Sequence, residues 1–306
     1  MSAPVSVLIP TYNEEIHLAA CLASVAGWAN EIFVVDSFST DRTGEIAKSF
    51  GAQFVQHRFE GYALQKNWAL DSLTFANEWV LILDADESLT PELREEIGRI
   101  LAQDSGPTGY FLNRRFIFHG KWIRHCGWYP SWNLRLFKHR LGRYEQREVD
   151  EHLILDGPVG YCCRDIIHED LRGMDAWIAK HNRYSTYNTR IYSRILSGEE
   201  AGSIKPRLWG NQAERKRFIK QRIWPHLPGR SVFFFLYMYF FRLGFLDGVH
   251  GFHFCAMHAV FQQFVVAKQW EQEQHKSRRQ EKGIETLRNP APLLEQPGYE
   301  KNKLIS

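Results

Sequence analysis

The stretch Leu83-Asp84-Ala85-Asp86 places two carboxylates one residue apart at the end of an apolar run. Carboxylates so close repel each other unless a cation or a donor-rich ligand joins them. Hard divalent cations favour one or two carboxylates completed by substrate phosphate oxygens. The spacing therefore suits a hard divalent cation such as Mg²⁺ together with a diphosphate. A plainer role is open too, because Thr90-Pro91-Glu92 starts a helix with Thr90 as N-cap and Pro91 at its first position.

The run before the acids, Trp79-Val80-Leu81-Ile82-Leu83, reads as a buried parallel strand. Its acids then lie on the C-terminal edge, where open α/β sheets bind ligands. Apolar strands are expected at residues 5–10, 31–36 and 52–55, with helical patterns between them. This β-α-β-α-β-α-β alternation predicts an α/β fold, doubly wound around a mostly parallel sheet. Thr11 to Glu14 and Asp36 with Ser37 and Ser39 come to the same edge. Neither a Gly-x-Gly-x-x-Gly nor a Gly-x-x-x-x-Gly-Lys-Ser/Thr loop occurs here, which argues against a dinucleotide site or a P-loop. A nucleotide fits nonetheless, its base read by Asp36 and its diphosphate held by the metal and Lys66.

Val7-Leu8-Ile9-Pro10-Thr11-Tyr12-Asn13-Glu14, Val34-Val35-Asp36-Ser37-Phe38-Ser39-Thr40-Asp41-Arg42-Thr43 and Leu83-Asp84-Ala85-Asp86-Glu87 together resemble the family 2 glycosyltransferases of GT-A fold. The resemblance covers about the first two-thirds of the chain. It implies a Rossmann-like nucleotide-binding half, a UDP-sugar donor and a divalent metal. Thr11, Tyr12, Asn13, Glu14, Asp36 and Ser39 would line the nucleoside, Lys66 would lie near the diphosphate, and Asp86 with Asp84 would hold the metal. His168 follows a short apolar run, where GT-A folds often place a further metal ligand.

In the next part, a strand pattern at residues 109–118 sets Arg114 or Arg115 on an open face, and Trp122, Trp128 and Trp132 crowd thirteen residues with several cations. Indole rings beside hydrogen-bonding groups suit sugar rings or lipid headgroups, and equally a core. The order Trp128-Tyr129-Pro130, Leu134-Arg135-Leu136-Phe137 and Val149-Asp150-Glu151-His152-Leu153 resembles bacterial enzymes that add β-linked glucose to the inner core of lipopolysaccharide. That likeness implies an inverting transfer with Glu151 as base, and Trp128, Tyr129, Trp132 and Arg135 toward the acceptor. The chain departs from the pattern at Asp150, which stands where those enzymes have His. Of two neighbours on a strand only one faces the site, so Asp150 and Glu151 compete for the role.

Between residues 205 and 230 lie eight Lys or Arg against the single acid Glu214, and residues 231–241 are uncharged and mostly apolar. That run is shorter than the roughly 20 residues of a membrane span. Paired amphipathic helices lying on an anionic membrane are expected, with the upstream cations toward lipid; a helix pair buried on the catalytic domain is the alternative. A formal charge of +3 without a nucleic-acid motif argues against nucleic acid. Five scattered cysteines fit a reducing compartment. With no leader-like N-terminus, the expected place is the cytoplasm, peripheral at the inner face of a bacterial inner membrane. The expected division is a nucleotide-sugar half at 1–102, an acceptor half at 103–196, a membrane-associating extension at 197–270 and a charged tail at 271–306. Acceptors in view are a lipid-linked glycan such as the lipopolysaccharide core, or an isoprenoid-linked one. Rival functions are a nucleotidyltransferase, which lacks its Gly-rich loop here, and a catalytically silent sugar-nucleotide binder.

Overall fold

A computed structural model describes residues 2–103, 105–145, 152–197, 207–209, 218–219, 223–224, 227 and 229–288, with side chains as far as 278. Strands β1 (Ala3–Thr11), β2 (Ala29–Asp36), β3 (Gln53–Gln56) and β4 (Trp79–Ile82) alternate with helices α1 (Leu18–Val25), α2 (Thr43–Ser49) and α3 (Tyr62–Ser72). They form a parallel set in the order β3-β2-β1-β4. The near-continuous apolar character of β1 has a two-sided cause. Val5, Val7 and Ile9 pack on α1, while Leu8 on the other face joins Ala63, Ala69 and Leu70 of α3.

The chain then forms β5 (Glu87–Leu89), α4 (Pro91–Leu101), β6 (Gly109–Phe118), β7 (Lys121–Trp122), β8 (Trp132–Lys138), β9 (Gly142–Tyr144), β10 (Leu153–Leu155) and β11 (Val159–Glu169). The sheet continues β4-β8-β6-β11-β5, with β8 antiparallel to both neighbours, β11 parallel to β6 and β5 antiparallel to β11. This is the expected α/β, GT-A arrangement, its parallel half widened by a mixed one. Thr90 caps α4 as its type suggests, its Oγ1 accepting the Leu93 N–H at 3.2 Å.

Helix α5 (Gly173–Leu196) is followed by α6 (Arg230–Leu236), a π-helical turn at Tyr237–Phe241, a 3-10 turn at Gly244–Asp247 and α7 (Gly248–Arg288). The C-terminal helices pack on the sheet domain through one face only. One face buries Met238, Phe254 and Cys255 against Phe118, Ile123 and Cys126, and the other leaves Phe240, Phe241 and Val249 exposed. Arg230 is a correction: it does not face outward. It is 2% exposed, bonded to Gln269, and its guanidinium lies 5.3 Å from the Tyr192 ring. Lys205, Arg215, Lys216, Arg217, Lys220 and Arg222, and the tail from 289, lie outside the described residues.

His258 of α7 and His181 of α5 sit in this helix packing, His181 stacked 3.5 Å from the Trp177 ring. Burial holds both pKa values down, at about 4. An unfolded chain takes up those protons below pH ~6.5 while the folded chain refuses them, so stability falls as pH drops from there toward 4. Urea unfolding at pH 7 and pH 5 should show the loss, and a His181→Gln/His258→Gln variant should show a flatter dependence. An unchanged slope in that variant would clear the histidines as the cause.

Candidate active site

Two loops leave the C-terminal ends of β1 and β2 and are laced together. Asn13 N–H donates to Ser39 Oγ at 2.8 Å, Thr40 N–H to Asn13 Oδ1 at 2.8 Å, and Glu14 N–H to Thr43 Oγ1 at 2.8 Å. Asp36 sits beneath them, 0% exposed. Its carboxylate accepts from Thr11 Oγ1 (3.1 Å), Ser39 N–H (2.8 Å), Ser39 Oγ and Gln56 Nε2 (3.2 Å). The carboxylate expected to read a base is thus filled from within the chain and acts as a strut. What the loops present outward is aromatic: Tyr12 is 60% and Phe38 55% exposed. Asn13 and Phe38 both take positive φ, 53° and 60°, a cost in strain that clusters at functional sites. Phe38, set between Ser37 and Ser39, is a site residue that the sequence pattern passed over.

The acids after β4 are sorted by partner. Glu87, whose side chain is 0% exposed, is bonded to Arg135 at 2.9 Å and lies 3.7 Å from Arg114. Its Oε2 accepts the Asp84 N–H at 3.0 Å. Asp84 pairs with the same Arg135 guanidinium and stands 3.8 Å from Lys66 Nζ. Burial pushes its carboxyl up, and the Arg135 and Lys66 charges reverse this, holding it well below the usual range. Asp86 turns the other way, its Oδ1 3.3 Å from His168 Nδ1. Both atoms are buried and neither has a hydrogen bond, the geometry between them being wrong for one. Two orphaned ligand atoms facing each other fit a divalent ion, whose remaining positions substrate oxygens would fill. Among the described residues no cluster of three or more His, Cys, Asp or Glu could hold a metal, so Asp86 and His168 are the protein's candidate share and Asp84 is engaged by Arg135.

Lys66 is 6% exposed and lies 4.9 Å from the Tyr144 ring. Asn67, one residue on, grips the Tyr144 backbone from both sides (2.8 and 2.9 Å). Hairpin β9–β10 is thereby fixed beside the acids, its strands closed by Glu145 N–H on His152 O at 3.0 Å. Asp150 and Glu151 lie between these two residues, outside the described ones. The acceptor aromatics do not share one face. Trp128 packs on Phe116, Phe254 and His258, Tyr129 donates to Asp165, and Trp132, 41% exposed, meets Tyr161 edge to face. Arg135, expected at the acceptor, is 6% exposed and spent on Asp84 and Glu87.

A further network joins the halves. His17 Nδ1 meets Glu14 at 2.7 Å, and its Nε2 lies 3.4 Å from Asp170, which pairs with Arg172 at 2.8 Å. Burial lowers the His17 pKa and the bonds to Asp170 and Glu14 raise it, while the Leu171 N–H donating to Nε2 at 2.9 Å opposes a proton on that nitrogen.

Removing one partner of a buried ion pair costs about 3–5 kcal/mol because the other charge is stranded. Arg135→Met should therefore cost about 3 kcal/mol or more in urea unfolding, leaving Glu87 with Arg114 alone. A loss below about 1 kcal/mol would mean that Arg135 is not the keystone.

The model of "Glycosyl transferase family 2" matches residues 6–152, from β1 to the hairpin. The lipopolysaccharide core biosynthesis glycosyltransferase LpsC of Rhizobium meliloti is 34% identical over 190 residues, covering 60% of this chain and 69% of LpsC. The uncharacterized glycosyltransferase RT0209 of Rickettsia typhi is 44% identical over 98 residues, and the match spans 33% of its length. S. aureus TarS 1–349, crystallised with UDP, superimposes with a TM-score of 0.43 at 15% identity, over 81% of this chain and 75% of that one. With a family match that spans the laced loops, the acids and β9, and a relative 34% identical and covered over 69% of its length, the chain belongs to the family 2 glycosyltransferases.

Proposed function

We propose that the chain transfers a hexose, glucose by resemblance, from a UDP-sugar to a lipid-linked glycan of the lipopolysaccharide-core type, at the inner face of a bacterial membrane. The observation that supports this most is the Asp86–His168 pair, two orphaned ligand atoms on the sheet edge that also carries the laced loops. Tyr12 and Phe38 offer flat, exposed surfaces for a nucleoside, with Thr11, Asn13, Glu14, Asp36 and Ser39 holding their loops in place. Asp86 and His168 would hold Mg²⁺ or Mn²⁺, which neutralises charge on a departing diphosphate. Lys66, pinned between Asp84 and Tyr144, adds positive charge on the same side. Glu151, or its neighbour Asp150, takes the proton of the acceptor hydroxyl as that oxygen bonds to the anomeric carbon. The bond from that carbon to the diphosphate breaks on the opposite side, inverting the configuration. Trp132 and Tyr129 are the acceptor contacts most accessible to a sugar, and Trp128 supports them from the core. The LpsC relationship supports the acceptor class.

UDP at 100 times its Kd should stabilise the chain by about 2.7 kcal/mol, and only with Mn²⁺ or Mg²⁺ present. Asp86→Asn and His168→Gln should each lose the metal-dependent part by at least tenfold in affinity. Glu151→Gln should keep the UDP response and lose transfer. A UDP response that persists without metal, or in Asp86→Asn, would refute the metal assignment; full transfer by Glu151→Gln would move the base to Asp150.

A further inference from the structure

The bend between α6 and α7 carries an apolar surface that stands exposed among the described residues. Phe233, Phe240, Phe241, Leu246, Val249 and Phe252 are each 45–79% exposed. Soluble surfaces seldom expose so many large apolar side chains in one place. The two arms, Arg230–Phe241 and Gly244–Arg278, meet at 72°, and together they are apolar enough for a membrane span, though no single helix among the described residues is. The first arm, at about 1.5 Å per residue, reaches some ~18 Å, short of the ~30 Å hydrocarbon core. A first arm of that length reaches through about one leaflet before the chain turns at the bend.

The charges of the segment are disposed to permit this. Between residues 231 and 270 the only formally charged residues are Arg242, Asp247 and Lys268. Asp247 is 2% exposed, accepting from Arg124 N–H (3.3 Å), His125 N–H (2.9 Å) and the His125 ring (2.9 Å). Lys268 is turned onto α5, donating to Asn182 O at 2.6 Å and Ser185 Oγ at 2.8 Å. Only Arg242 is left outside, and a long cation at the base of such a wedge can snorkel to headgroups. Arg124 and Lys121 are also exposed at that base, Lys121 reaching the Asp247 carbonyl at 2.9 Å. The acid is hidden and the cations ring the apolar tip, which matches an anionic leaflet rather than a protein partner. The bend is also stiff, since a Cβ on Gly251 would stand 2.0 Å from the Gly244 carbonyl oxygen.

We propose that this bend is a wedge inserted into one leaflet of an anionic membrane, and that Asp247 fastens the acceptor loop 121–132 to it. The proposal deepens the membrane contact suggested above. Its consequence is that Tyr129 and Trp132 are held at a set height over the lipid from which the acceptor glycan rises.

The test uses the full chain with vesicles of phosphatidylglycerol and phosphatidylethanolamine, and reads no sugar transfer, so the glycosyltransfer reading can fail without it and the reverse. The wild type should sediment with the vesicles, and Phe241→Asp/Val249→Asp should partition at least tenfold less with an unchanged thermal midpoint. A fluorophore on Phe241→Cys, in a Cys163→Ser background because the other four cysteines are buried, should be quenched by brominated acyl chains. Wild type left in the supernatant, undiminished binding by the double variant, or binding without acyl-chain quenching would each overturn the wedge. So would a lipid-free dimer that the same two substitutions dissolve, which would make the strip a contact between copies of the chain.

Discussion

The site depends on one buried guanidinium. Arg135 comes from β8, the first antiparallel strand after the parallel set, and reaches back to the turn after β4 to hold Asp84 and Glu87 together. Three carboxylates within four residues would otherwise force one another to protonate. With Arg135 in place the turn separates them: Glu87 is fixed inside with Arg114 behind it, Asp84 is balanced by Lys66, and Asp86 is released toward His168. Burial still pushes the Glu87 carboxyl up, with Arg135 opposing it. Of three carboxylates displayed by the sequence, two are thus tied to Arg135 and Asp86 alone is turned to His168.

This explains which parts of the site could be read from the sequence. The parallel half was legible because strands covered on both faces are apolar throughout, and the loops at their ends must then be polar. Thr90 and Pro91 marked the start of α4 for reasons local to a helix end. Glu87 escaped notice because its meaning lies in a partner 48 residues away, as does that of Arg135, which looks like a ligand-binding cation and is a structural one. Trp128 and Arg230 were misdirected for the same physical reason. Aromatic and long cationic side chains serve a ligand, a core or a lipid surface equally well, and only the packing of distant elements selects among these. Asp86 and His168, which the resemblance to GT-A folds made joint candidates, do lie side by side, 3.3 Å apart.

The loops after β1 and β2 show how a preorganised surface can be built without glycines. Each loop supplies the other's missing hydrogen bonds, and Asp36 collects four donors below them. The strain at Asn13 and Phe38 persists because so many bonds determine the backbone around it. Preorganised loops lose little entropy on binding, so the exposed rings of Tyr12 and Phe38 are held ready rather than gathered by the ligand.

The C-terminal helices follow a different logic. A segment apolar on all sides cannot reveal which face it will bury, since no polar stripe breaks the pattern. The face is chosen by the sheet, where Phe116, Phe118 and Trp128 offer complementary rings to Phe254 and His258. What remains outside is then as apolar as what went in. A water-facing helix would have polar side chains there, and this one keeps its few charges for the inner face or the base of the bend. Because Asp247 is bonded to the backbone at Arg124 and His125, any surface that takes up the outer face also fixes the loop bearing Tyr129 and Trp132. Under the wedge proposed above, acceptor positioning and surface attachment become one mechanical property, in which helices beyond residue 152, where the family match ends, hold a loop that lies inside it.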